Sequence, residues 1–341
     1  MRLLMTILAI CFIIGKPGLA MAEEPGNGVI DGQLILQTKN GDSLGELDVT
    51  LIFFTDEMVR ETRITKTDAQ GKFEFTGLDT DTEYMVSAHY DGIDYYYPVV
   101  FSDGETRIPI EVSVCDTTTN DDKIRVILAH VIIYVAEESI SVTEVFLLVN
   151  DDDRTYVGAE KAAAGGKQGS LVFTLPKGAA DFDAPPELMQ DYMFLDNNKV
   201  ADTLPFPPGE RQLVYSYKLA KEVSSDFTLN LAIDYPTDRI EVMVKGTDTE
   251  IASTQLRPAE PVDSDTGERF MHFSGENLLR GDTVDITISS LPEGGGVVSP
   301  IVWFIAAIVI LGIPAYVVMR RMRTGISAGA SSKGDTGEQE K

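Results

Sequence analysis

The chain has little of the chemistry that most enzymes need. Its 341 residues include two cysteines, three histidines and one tryptophan. Cys11 lies inside an apolar leader run, so Cys115 stands alone in the remainder. One thiol closes no intramolecular disulfide, and the absence of CxxC and CxxCH excludes the redox and haem-attachment motifs. At the end of a strand-like run, Cys115 reads as a buried, inert thiol. His89, His130 and His272 are far apart in the chain, without HExxH, HxH or GxSxG around them. Each reads as structural, His130 as a satisfied core residue of a very apolar strand. Basic residues are scarce as well: 28 Lys and Arg stand against 54 Asp and Glu, a net charge of −26. A field of that sign repels phosphate backbones and anionic lipid head groups, which excludes nucleic acid as a partner. No long segment repeats its apolar residues every 3.6 positions, so helical bundles are excluded too.

Long apolar runs are confined to the two ends. Arg2, the run Leu3–Ile14 and an A-x-A sequence ending at Ala22 have the layout of a secretory signal peptide over 1–22. That run is too short to span a bilayer. Val297–Met319 is 23 residues without a charge, followed at once by Arg320, Arg321 and Arg323. This is expected to be a transmembrane helix, with the three arginines fixing its cytoplasmic end. Residues 320–341 are Gly/Ser-rich, charged and aperiodic, the composition of a disordered tail. The expected placement is a single-pass membrane protein with an exported N-terminal ectodomain, periplasmic or extracellular, and a cytoplasmic C-terminus.

Between those ends nearly everything alternates. Leu47, Val49, Leu51 and Phe53, then Tyr84, Val86, Ala88 and Tyr90, then Ile108, Ile110, Val112 and Val114, each put apolar side chains on one face of a strand. Turn residues separate such runs at intervals of about ten residues, the spacing of β-sandwiches. The fold class is all-β: two consecutive sandwiches of immunoglobulin or prealbumin type plus the C-terminal transmembrane helix. The polar stretch "CDTTTNDDK" marks the boundary, giving domains at 23–120 and 121–293. The short "LPEGGGVVSP" then holds the second domain close to the membrane.

The stretch "TKTDAQGKFEFTGL" poses a choice between a calcium loop and a turn. An EF-hand needs oxygen ligands at alternate positions and a distal glutamate between helices. Asp68 and Gly71 instead bracket a type I turn, read here as the corner of a β-hairpin. With this turn in place, residues 27–117 resemble the carboxypeptidase-regulatory, prealbumin-like module and the related Cna-B family. The pattern D-x-x-G-x-F-x-F-x-x-L, followed by Tyr84, carries the resemblance. It implies a sandwich used as a stalk, spacer or binding unit, without catalysis of its own. Some Cna-B domains form an isopeptide bond with help from a glutamate in Y-x-L-x-E. Here the matching stretch is "YMVSA", with Ala88 in place of the acid, so no such bond is expected.

Three groups of residues are candidates for binding. Tyr95, Tyr96 and Tyr97 could stack on a sugar or anchor a protein; alternation puts Tyr95 and Tyr97 on one face and Tyr96 on the other. Asp151, Asp152 and Asp153 offer hard oxygen ligands in a turn, which makes calcium the one cofactor left open. Met271-His272 has the soft ligands that suit copper. No catalytic set emerges, and the chain is expected not to be an enzyme. The function expected is binding or scaffolding in the cell envelope, as an accessory component of a membrane complex with a protein partner. The alternatives are a cell-surface adhesin or carbohydrate-binding protein, and an exported protein handling calcium or copper.

Overall fold

The computed structural model describes residues 26–39, 41, 43–54, 60–136, 139–161, 168–195, 197–220, 226–245, 250–264 and 267–289. The leader, the 297–319 run and Arg320, Arg321 and Arg323 lie outside the described residues. Among the described residues, no helix is long and apolar enough to cross a membrane. The chain divides into two compact units: residues up to Ile35 with Ser43–Val114, and Leu36–Asp42 with everything from Cys115 onward.

Among the described residues, the first unit has seven strands: β1 (Gly28–Leu36), β2 (Asp48–Phe54), β3 (Arg60–Lys66), β4 (Lys72–Leu78), β5 (Tyr84–Tyr90), β6 (Ile93–Val99) and β7 (Arg107–Val114). They form one sheet in the order β4-β1-β7 and another in the order β3-β2-β5-β6. The alternating residues close the space between them: Ile30 and Leu34, Val49 and Leu51, Phe73 and Phe75, Val86 and Ala88, Ile110 and Val112 are all buried. Each large side chain removed from water in this way contributes about 1.5–3 kcal/mol. Gly32 faces the same interior because the Phe73 ring lies on it; a Cβ there would come within 1.9 Å of Phe73 Cζ.

The Asp68 turn forms, but it is not the corner of a hairpin. Asp68 Oδ1 accepts from the Gln70 and Lys72 amides at 2.9 and 2.8 Å. Gly71 takes φ = 79°. The strands it joins lie in opposite sheets, so the turn arches across the sandwich. Its outward bonds explain this: Thr67 N–H donates to Leu47 O on the β2 side, and Gly71 O accepts from Leu34 N–H on β1. A two-residue hairpin does follow at Asp91-Gly92, both with positive φ, where β5 and β6 pair from Tyr90↔Ile93 onward. Such a turn makes Tyr90↔Ile93 a hydrogen-bonded pair, and pairs alternate from there. Pro98 therefore falls where β6 would point an N–H away from β5, the only place an edge strand tolerates proline.

The second unit continues with β8 (Thr117–Thr118), β9 (Ile124–Val135), β10 (Ser139–Asn150), β11 (Thr155–Tyr156), β12 (Glu160–Lys161), β13 (Gln168–Gly169), β14 (Leu171–Thr174) and β15 (Ala179–Asp183). After the single turn of α1 (Pro186–Met189) come β16 (Tyr192–Leu195), β17 (Lys199–Asp202), β18 (Gly209–Ala220), β19 (Asp226–Ala232) and β20 (Thr237–Lys245). The last are β21 (Glu250–Ala252), β22 (Arg257–Asp263), β23 (Arg269–Leu278) and β24 (Thr283–Ser289). A seven-stranded sheet, β15-β18-β10-β9-β20-β23-β22, packs on two three-stranded sheets, β14-β17-β16 and β19-β24-β21. The edge strand β22 carries Pro258 and Pro261, which blunts its pairing.

The polar bridge 115–123 is part of this unit and no linker. Thr117–Thr118 pairs in parallel with Thr155–Tyr156. Thr38 Oγ1 accepts from Asp116 N–H at 2.8 Å and donates to Asp153 O at 2.9 Å. The division therefore falls at Val114/Cys115. Cys115 is buried, and burial pushes its thiol pKa up. In the core, Glu144 shares a face of β10 with Ile140, Val142 and Leu148. Tyr217 O–H donates to its Oε1 at 2.7 Å. Burial drives this carboxyl's pKa up to about 7, with the Tyr217 bond opposing.

Candidate functional site

The register of β3-β2-β5-β6 determines which side chains share the sheet's outer face. Val49, Leu51, Val86 and Ala88 point inward, so their neighbours point out. Reading across the strands, one outer row is Ile64↔Thr50↔Ser87↔Tyr96 and the next is Thr62↔Ile52↔Met85↔Pro98. None of these residues is charged. Ile64 is 68% exposed and Tyr96 61%, and Val100, just beyond β6, is 60% exposed. Charge returns in the rows beyond: at one end Lys66 pairs with Asp48 at 3.0 Å and His89 Nδ1 lies 2.8 Å from Asp94 Oδ1, and at the other Arg60 sits opposite Phe54. The face thus combines an apolar and hydroxyl-bearing centre with a polar border, the anatomy of a protein interface.

The other sheet of the same unit presents the usual alternative. Asp31, Gln33, Lys72 and Glu74 face outward from β1 and β4, and Arg107 of β7 joins Asp31 and Glu74, the latter at 3.6 Å. The outer face of β3-β2-β5-β6 carries no carboxylate across two rows, in a chain with 54 acidic residues.

The three tyrosines are only partly brought together. Tyr95 and Tyr97 lie opposite Ala88 and Val86, on the inward side of β6, whereas Tyr96 faces out. Tyr97 is still 38% exposed at the open edge of the sandwich. Only Tyr96 belongs to the uncharged face. The other apolar residues of that face, Ile64, Ile52 and Met85, escape sequence reasoning because nothing in one strand reveals which residues of other strands share its face.

The acidic turn is occupied with internal bonds. Asp151 Oδ2 accepts from Arg125 Nε at 3.0 Å, Asp152 Oδ1 from Asp153 N–H at 2.8 Å, and Asp153 Oδ2 from Lys39 N–H at 3.2 Å. The three carboxylates thus turn to different partners. Among the described residues, no three His, Cys, Asp or Glu side chains group as a metal site. Met271 packs on the core, while His272 faces the other way, with Nε2 2.5 Å from Glu241 Oε2 and Nδ1 3.1 Å from Glu260 O. Alternation separates the thioether from the imidazole. His130 also points away from the core, and its Nδ1 is buried without a hydrogen-bond partner among the described residues, contrary to a satisfied core histidine. Burial lowers its pKa.

No protein-family model matches the chain, and no curated protein matches it. Among solved structures, the chain has distant likenesses. A Parabacteroides distasonis protein proposed to be a protease is 10% identical, with 49% of this chain and 40% of that one covered and a TM-score of 0.30. A DUF3823 family protein from Parabacteroides merdae is 12% identical, over 55% and 79% of the two chains, with a TM-score of 0.22. The yeast δ-COP-I μ-homology domain, solved with a Dsl1 peptide, is 11% identical over 50% and 76%, with a TM-score of 0.17.

Proposed function

We propose that this chain is an exported, membrane-anchored binding or scaffolding protein without catalytic activity, working as an accessory component of a membrane complex. Its first unit is a module of the carboxypeptidase-regulatory, prealbumin-like kind. Residues 297–319 form the anchor, and the signal at 1–22 directs export. One observation carries the reading: the outer face of β3-β2-β5-β6 omits charge across two full rows of a strongly acidic chain. Folding does not require that omission, because an exposed sheet face accepts charge at almost no cost. A protein partner with a matching uncharged surface does require it, since a carboxylate buried there would lose its hydration.

The test is site-specific photo-cross-linking in native membranes. A photoreactive residue in place of Tyr96 should yield one recurring, near-stoichiometric adduct with a membrane protein, and the same probe in place of Glu74 should not. Ile64→Asp should abolish the Tyr96-position adduct without lowering the unfolding temperature. Adducts equally abundant from both positions would sink the reading, and so would adducts only with wall polymer.

A further inference from the structure

We infer that the second unit holds a binding pocket for a neutral saccharide at the open edge of its sandwich, between β15 and β16. This is independent of the partner surface on the first unit. β15 is the outermost strand of the seven-stranded sheet, and β16 the outermost strand of β14-β17-β16. The connection through α1 passes from one to the other. A pocket of about 510 Å³ opens among Leu175, Phe182, Met189, Phe194, Asn197 and Asn198. That volume lies within the usual range for small-ligand sites, roughly 300–1,000 Å³.

Local backbone irregularity builds the pocket. In the β15–β18 ladder Ala180 pairs with Lys218 and Asp183 with Ser216, so Asp181 and Phe182 together oppose Tyr217. This is a β-bulge, with Asp181 at φ = 49°. The extra residue turns Phe182 inward, where its ring lies 5.5 Å from those of Tyr192 and Tyr215. From the opposite sheet, Phe194 meets Phe182 edge-on at 5.1 Å. Yet Phe194 stays 61% exposed, and Met189 on the same wall 39% exposed. In the β16–β17 connection, Asn197 and Asn198 both adopt positive φ, 61° and 57°. Asparagine tolerates that conformation better than most residues. The two side-chain amides are exposed beside the aromatic wall.

The lining specifies the ligand class. Among the described residues, two side chains of opposite charge line the pocket, Asp181 and Lys199. Asp181 is held by Lys218 at 3.1 Å, so no free carboxylate is offered to a cation. An anion would find one lysine opposed by that aspartate. An acyl chain would make no use of the two exposed amides. A pyranose satisfies both surfaces: its C–H face stacks on Phe194, and its hydroxyls exchange hydrogen bonds with Asn197 and Asn198.

The experiment is saturation-transfer NMR on the full chain in lipid nanodiscs, with cellobiose, chitobiose and mannobiose as probes and anilinonaphthalene sulfonate as an apolar anionic control. At least one disaccharide should receive saturation, strongest on its ring C–H protons. Phe194→Ala should weaken that binding about tenfold or more, which corresponds to ~1.4 kcal/mol. The unfolding temperature should change little, because the ring is exposed. Asn198→Asp, which retains the backbone conformation, should weaken it by a smaller factor. The proposal is overturned if no disaccharide binds at about 10 mM, where even a weak millimolar site would fill. It is also overturned if Phe194→Ala binds the sugar unchanged, or if only the apolar anion binds in a Phe194-dependent way.

Discussion

In the first unit the unusual surface is one without charge; in the second, the unusual interior is one with a carboxyl. The outer face of β3-β2-β5-β6 leaves out charge where charge is nearly free, and β10 places Glu144 where charge is most expensive. The difference separates two kinds of constraint. A missing surface charge has no folding consequence, so its explanation lies in what meets the surface. A buried carboxyl has a large folding consequence, so it must be neutralised or paired for the sandwich to exist. One departure is visible in association and the other in stability, and pH, mutation and cross-linking can separate them.

The largest expected effect lies in the core. Burial raises the Glu144 pKa from 4.5 to about 7, opposed by the Tyr217 hydrogen bond and reinforced by Asp234. The folded state then holds a proton that the unfolded chain has released, so stability is full below pH 4.5 and falls as pH rises toward 7. At about 1.4 kcal/mol per pKa unit, the loss is of order 3 kcal/mol between pH 4.5 and 8. Glu144→Gln keeps an acceptor for Tyr217 and removes the titration. Urea unfolding of this variant should show a midpoint that exceeds the parent's at pH 8 and converges on it near pH 5. Asp202, also raised by burial, titrates in parent and variant alike and cancels in the difference. Parallel pH profiles for the two proteins would mean that Glu144 is not the group responsible.

Two substitutions in the first unit set its interior against its outer face. Gly32→Ala drives a methyl into the Phe73 ring on the buried side of β1. Overpacking of that kind costs about 1–3 kcal/mol, read as a lower unfolding temperature of the first unit. Ile64→Asp on the uncharged face should shift stability by less than ~0.5 kcal/mol, because the side chain is already in water. If Ile64→Asp proved as damaging as Gly32→Ala, the face would be part of the fold and its lack of charge would need no partner.

How much of this could be read from the sequence depended on whether the information was local. Alternation along a strand is local, so Val49 and Leu51, Val86 and Ala88 were assigned to the core, and Tyr96 to the face opposite Tyr95 and Tyr97. The same alternation in "SVTEVFLLVN" puts Glu144 in phase with Val142 and Leu148, so its place in the core is also legible locally. The Asp68 turn was legible from Asp and Gly. Its role as an arch was not, because two strands with period two look alike whether they pair or face each other across a sandwich. The uncharged face needs the register of four strands at once, which turns and long-range pairing set. Phe182 eluded the reading for a different reason: a bulge reverses the phase of its strand, and no composition signal announces it.

The smallest expected effect tests the border of the uncharged face. Lys66 and Asp48 are 58% and 62% exposed, and Lys66 Nζ also lies 3.2 Å from Glu46 O. Exposed pairs of this kind contribute about 0–1 kcal/mol, so Lys66→Ala should leave the unfolding temperature nearly unchanged. Its value lies in kinetics. A rim charge acts on encounter rate and salt dependence more than on the lifetime of a complex. In a chain with net charge −26, Lys66 offsets part of the repulsion felt by any partner of like charge. Lys66→Ala should therefore slow formation of the Tyr96-position cross-link at low salt, and the deficit should shrink as salt rises and screening shortens the reach of the field. A deficit unaffected by salt would move Lys66 from the rim into the contact itself, and the contact would then extend past the uncharged rows.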